Sequence, residues 1–142
     1  MKRKHLILLI SYLFFGLFAY AAIAKLIDFG TFRAALGELQ AFGKFSLLLS
    51  LSIPAAEILT AVALLIPVSR LAGFYASAVL MAVFTIYVLV LLLSREPISC
   101  ECGGLLEQLD LITHLWFNIG FLALGLIGLL LCRSEKNKFV HR

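Results

Sequence analysis

The chain has 142 residues, 63% hydrophobic and only 14% charged, with a formal net charge of +4 and a mean hydropathy of +1.07. A soluble domain of this length would be about half apolar and about a quarter charged, so core burial cannot absorb this composition and a lipid bilayer is the expected solvent. The basic surplus would suit nucleic acid only if it were clustered, and its placement along the chain excludes that partner.

Four apolar runs are long enough to cross roughly 30 Å of hydrocarbon, which takes about 20 helical residues. They lie near Leu6–Ala24, Phe45–Ile66, Leu71–Leu93 and Leu111–Cys132. This predicts one all-α integral membrane domain over residues 1–142, a four-helix up-down bundle with no separate soluble domain. Lys2, Arg3 and Lys4 precede the first run, Arg70 separates the second from the third, and Arg133, Lys136, Lys138 and Arg142 follow the fourth. Alternating spans put all of these on one side. The other side holds Lys25, Arg33, Lys44 and Arg95, offset by Asp28, Glu38, Glu96, Glu101, Glu107 and Asp110. The positive-inside rule then predicts a multi-pass protein of the inner (plasma) membrane, with both termini cytoplasmic and the segment 94–110 outside.

The first run resembles a signal peptide, and Ala22-Ile23-Ala24 offers an A-x-A site. It is longer than the usual h-region of about 7–15 residues, so an uncleaved first helix is expected, closed at the outer interface by Lys25 and Asp28. From Thr31 to Ala41, Phe32, Ala35, Leu36 and Leu39 recur at i, i+3, i+4, i+7. That period predicts a short amphipathic helix lying on the membrane surface. In the second run Glu57 sits about a dozen residues in, near mid-bilayer at about 1.5 Å per residue. An acidic group there costs at least ~2.5 kcal/mol, so it is expected to face the bundle, protonated or hydrogen-bonded. Either an interhelical strut or a functional proton or ligand group fits. Pro54, one turn earlier, loosens the helix.

The turn Pro67-Val68-Ser69-Arg70 is short enough to make the second and third spans antiparallel neighbours. Gly73 and Ser77, four apart, let a helix approach closely. Asp110 is a natural N-cap for the last span. His114 and Asn118 then share a face, continued by Gly125 and Cys132, and this polar, small stripe should face the bundle. His114 can be an interfacial histidine bonded to a carbonyl or to Asn118, or it can serve the cysteines. Cys132, at the inner end, is expected to be an unpaired apolar filler.

Chemistry concentrates in Pro97-Ile98-Ser99-Cys100-Glu101-Cys102-Gly103-Gly104. Residues this close can meet the Cα separation of a disulfide, but the small ring resists good torsions, and strained bridges are the reducible kind. Glu101, Glu96 and Glu107 disfavour the thiolate, whereas a charged His114 favours it. A polar route past His114 and Asn118 to Glu57 would suit a thiol that passes electrons and protons to a membrane carrier such as a quinone. The competing readings are a soft-metal site, an inert staple and an assembly factor without turnover. Cys100, Cys102 and His114 are too few for a closed zinc site and the chain has only two Met, so no metal is expected.

Several stretches resemble the MauE/DoxX-like family of redox-associated membrane proteins: Ala24-Lys25-Leu26-Ile27-Asp28-Phe29, Ile53-Pro54-Ala55-Ala56-Glu57, the Cys-x-Cys-Gly before the last span, and His114-Leu115-Trp116-Phe117-Asn118. The resemblance covers nearly the whole chain and implies a four-helix membrane bundle linked to periplasmic thiol–disulfide chemistry. Its MauE branch is associated with methylamine utilisation, where it is thought to help mature methylamine dehydrogenase, whose small subunit is disulfide-rich, alongside a thioredoxin-like protein. DoxX relatives are tied to quinone-linked sulfur oxidation. Gly103-Gly104 follows the second cysteine where MauE tends to show Cys-Phe-Gly, which implies a sister group. The expectation is a thiol–disulfide oxidoreductase with Cys100 and Cys102 as its reversible pair and His114 as proton shuttle. Glu57 and Asn118 would supply a quinone site or proton path, and a periplasmic thioredoxin-fold protein would be the partner. The alternative is a non-catalytic assembly or maturation factor for a periplasmic or membrane enzyme.

Overall fold

A computed structural model of the chain describes residues 2–38, 43–94 and 110–140. Helix α1 spans Lys2–Ile27, α2 Phe29–Glu38, α3 Ser46–Leu65, α4 Arg70–Ser94 and α5 Leu111–Val140, with a 3₁₀ turn at Gly43–Phe45 leading into α3. The described residues contain no strand. Helices α1, α3 (with its 3₁₀ lead), α4 and α5 are each long and apolar enough to cross a membrane, as expected where no water is at hand to satisfy backbone polar groups. The last of them outruns the expected end at Cys132, because the charged tail continues the same helix to Val140.

Helix α1 packs on α3 and α5, and α4 packs on the same two. Each long helix therefore lies beside its neighbours in sequence, and α1 with α5 closes the ring. Residues 66–69 join α3 to α4, too few for anything but an antiparallel pair. Here the last carbonyls of α3 find side-chain donors. Ser69 Oγ donates to the Ala63 carbonyl at 3.0 Å, Arg70 Nε to Leu64 at 3.0 Å and Arg70 Nη2 to Leu65 at 3.3 Å. A cation at a helix C-terminus also complements the helix dipole.

The core is built from Ile7, Ile10, Phe14 and Phe18 of α1, Ala61 and Leu64 of α3, and Phe74 and Met81 of α4. Phe121 of α5 meets Phe14 edge to face, with ring centroids 5.4 Å apart. Lipid is as apolar as these side chains, so what holds the helices together is close contact and not exclusion from water. Two glycines show how close that contact is. A Cβ on Gly73 would lie 2.9 Å from the backbone nitrogen of Leu64, and one on Gly128 would run into the Phe74 ring. Buried hydroxyls satisfy themselves within their own helices, Ser11 on the Ile7 carbonyl and Ser77 on that of Gly73, both at 2.8 Å.

Helix α2 is amphipathic as expected, but its apolar stripe is not laid on lipid. Phe32, Ala35 and Leu36 are each under one-tenth exposed within the protein, and the helix packs on α3. The short link after α1 folds α2 back across the end of the bundle, where the same stripe finds protein to cover. Leu39, the fourth member of that stripe, lies outside the described residues.

Candidate functional site

Lys25, in the last turns of α1, points into the bundle. Its Nζ donates to Glu57 Oε1 at 2.8 Å and, more weakly, to the Ala21 carbonyl at 3.4 Å. Lys25 is 6% exposed and Glu57 not at all. Two ring faces flank the ammonium, Phe84 at 5.5 Å and Phe32 at 5.8 Å to the centroid, which adds cation–π attraction on its open sides. The expectation that Lys25 marks the outer interface is thus corrected. A carboxylate at Glu57's depth needs a partner, and the flexible stem of Lys25 carries one down to it. Asp28 does stay at the helix end, where it accepts a hydrogen bond from Thr31 Oγ1 at 2.6 Å.

Glu57 is positioned by α3, one turn after Pro54. That proline is buried and has no N–H, so it deprives the Ser50 carbonyl of its helical donor while α3 runs on unbroken from Ser46 to Leu65. From α5, His114 and Asn118 face the same interior, each 3% exposed. The His114 N–H donates to the Asp110 carbonyl at 2.9 Å, so the helix opens at Asp110 as its sequence suggests.

These four side chains line one cavity of about 390 Å³. Its walls are otherwise apolar or aromatic. Phe18, Phe84 and Phe117 come from three of the long helices, and Phe32 and Leu36 of α2 contribute at the outer end. Within it, two buried polar atoms find no hydrogen-bond partner among the described residues, Glu57 Oε2 and Asn118 Nδ2. Buried polar atoms are nearly always paired, so among the described residues these two stand out as an acceptor and a donor that share one largely apolar chamber.

Sequence reasoning thus singled out three of the polar residues that line the cavity, Glu57, His114 and Asn118, and missed Lys25 and the phenol of Tyr87. For Lys25 the missed signal was a lone base at the end of one span and a lone acid inside the next. Cys100 and Cys102 lie outside the described residues. The two helices that flank their segment both contribute to the cavity wall near the ends that lead into it, α4 through Leu91 and α5 through His114. Of the rest of the α5 stripe, Gly125 abuts the Phe14 ring and Cys132, half-buried, carries no disulfide.

Four membrane-length helices around a chamber with a buried ion pair define an α-helical multi-pass membrane protein with an internal charged site. The chain matches the family described as methylamine utilisation protein MauE over residues 3–131, and it belongs to that family. Comparison with curated proteins and with solved structures finds no match.

Proposed function

We propose that this chain serves methylamine utilisation as a thiol–disulfide redox protein of the inner membrane, exchanging electrons through Cys100 and Cys102 with a periplasmic thioredoxin-fold partner. One observation carries the reading. Both helices flanking the cysteine segment contribute, next to it, to the wall of a chamber that gathers a base, an acid, an imidazole and an amide. Such a chamber can hold a proton in transit between the pair and its final acceptor, with no net uptake. As the Sγ–Sγ bond of the pair forms, two thiols give up two electrons and two protons. The partner's disulfide gains both and becomes a dithiol, and the reverse exchange reduces the pair again. A strained two-residue bridge favours such reversibility.

The direct test is to replace Cys100 and Cys102 singly with Ser and look for trapped mixed disulfides with periplasmic proteins. A surviving single cysteine is expected to hold its partner covalently. If neither variant traps one while both stay folded and active, the chain acts instead as a maturation factor without turnover.

The proposed orientation puts both termini in the cytoplasm. After reduction, a membrane-impermeant maleimide added to intact spheroplasts is expected to label Cys100 and Cys102. Cys132, beside Arg70 and Lys136 at the opposite end of the bundle, should react only after permeabilisation. Labelling of Cys132 in sealed spheroplasts would reverse the topology.

A further inference from the structure

We infer that the chamber at Lys25 and Glu57 is a binding site for a membrane-dissolved hydroquinone, entered sideways from the bilayer. Recognition would rest on two atoms. Glu57 Oε2, its carboxyl group held by Lys25 through the other oxygen, needs a donor, and Asn118 Nδ2 needs an acceptor. Both belong to side chains more than nine-tenths buried. A hydroxylated aromatic ring answers both demands, one hydroxyl donating to Glu57 and a ring oxygen accepting from Asn118. Phe84 and Phe117 supply apolar and aromatic surface of the kind that accepts such a ring. The volume of about 390 Å³ falls within the roughly 300–1,000 Å³ of small-molecule sites.

The route of entry follows from which wall is open. The exposed members of the lining are Val83, Ile86 and Val90, a row along α4 on a span otherwise apolar enough for lipid. A ligand reaching the ion pair past valine and isoleucine comes from hydrocarbon, so it carries a lipophilic tail. A plain acyl chain would fill the same opening, but it would leave Glu57 Oε2 and Asn118 Nδ2 unpaired. The proposal rests on the thiol-redox reading for its purpose only. On that reading, a quinone accepting the two electrons and two protons of the cysteine pair leaves as the hydroquinone this site recognises.

The test uses the full chain in detergent micelles under argon, titrated with a short-chain alkyl hydroquinone and with its dimethyl ether. The ether keeps ring, tail and oxygens but has no hydroxyl to donate. The hydroquinone is expected to bind, and the ether about tenfold or more weakly, because a buried carboxylate oxygen then stays unsatisfied. In the variant Asn118→Leu, affinity for the hydroquinone should fall by a comparable factor. Equal binding of the two ligands would make the chamber an acyl-chain slot and overturn the proposal, as would no binding of either. The ligand pair is compared on the unaltered protein, so a variant that fails to fold does not decide the matter. The titration involves no thiol chemistry, and its failure would leave the mixed-disulfide experiment standing.

Discussion

Replacing Lys25 with Met lowers the stability of the folded bundle by about 3–5 kcal/mol, the usual penalty for stranding one member of a buried ion pair. Glu57 would then sit fully buried with neither carboxylate oxygen bonded, since Lys25 is the hydrogen-bond partner of one and the other has none among the described residues. Hydrocarbon on the outer side of the bundle offers no water to repair the loss. The double variant Lys25→Met/Glu57→Leu removes both charges at similar volume, and it is expected to recover most of the stability, because apolar replacements of whole buried pairs are often neutral or better. Reversible unfolding in mixed micelles, followed by circular dichroism, measures both. A single variant as stable as the unaltered protein would show that the pair contributes nothing to the fold. If the double variant is stable yet no longer binds the hydroquinone, the ion pair serves the ligand more than the bundle.

The second large effect is steric. Gly128→Val drives a side chain into the Phe74 ring, which fills the space over that glycine and is itself fully buried. Overpacking of this kind costs about 1–3 kcal/mol, and trimming the obstacle with Phe74→Leu should return much of it. Gly120, on the same helix, faces open space, with nothing within 4 Å of the position a Cβ would take. Gly120→Ala should therefore be neutral or gain up to about 1 kcal/mol from helix propensity. If the two substitutions behave alike in the same unfolding assay, contact between α4 and α5 at Gly128 does not limit stability.

How much of this was legible depends on whether a constraint acts within one segment or between segments. Bilayer thickness acts on each span separately, so runs such as Leu71–Leu93 declare themselves, and helix α4 covers Arg70–Ser94. The face shared by His114 and Asn118 is equally local, because residues four apart on a helix must align. The Lys25–Glu57 pair is not local. Its partners are 32 positions apart, and a lysine near a span end reads as an interfacial anchor unless the acid is already known to lie within its reach. Helix α2 illustrates a different limit. Its period marks an apolar stripe on Phe32, Ala35 and Leu36 without saying whether lipid or protein covers it, and only the fold-back after α1 decides.

The tight glycine contacts have a consequence for the molecule as a mechanism. Gly73 against Leu64, Gly128 against Phe74 and the Arg70 cap all lie in the half of the bundle where α3 turns into α4. The chamber occupies the opposite half, walled by Leu49, Ile53 and Glu57 of α3 and by residues from Met81 to Leu91 of α4. The bundle is thus built like a pair of tongs, with a stiff heel and open jaws. Close packing takes up the heel, and the room for a ligand lies between the parts of α3 and α4 farthest from the turn that joins them.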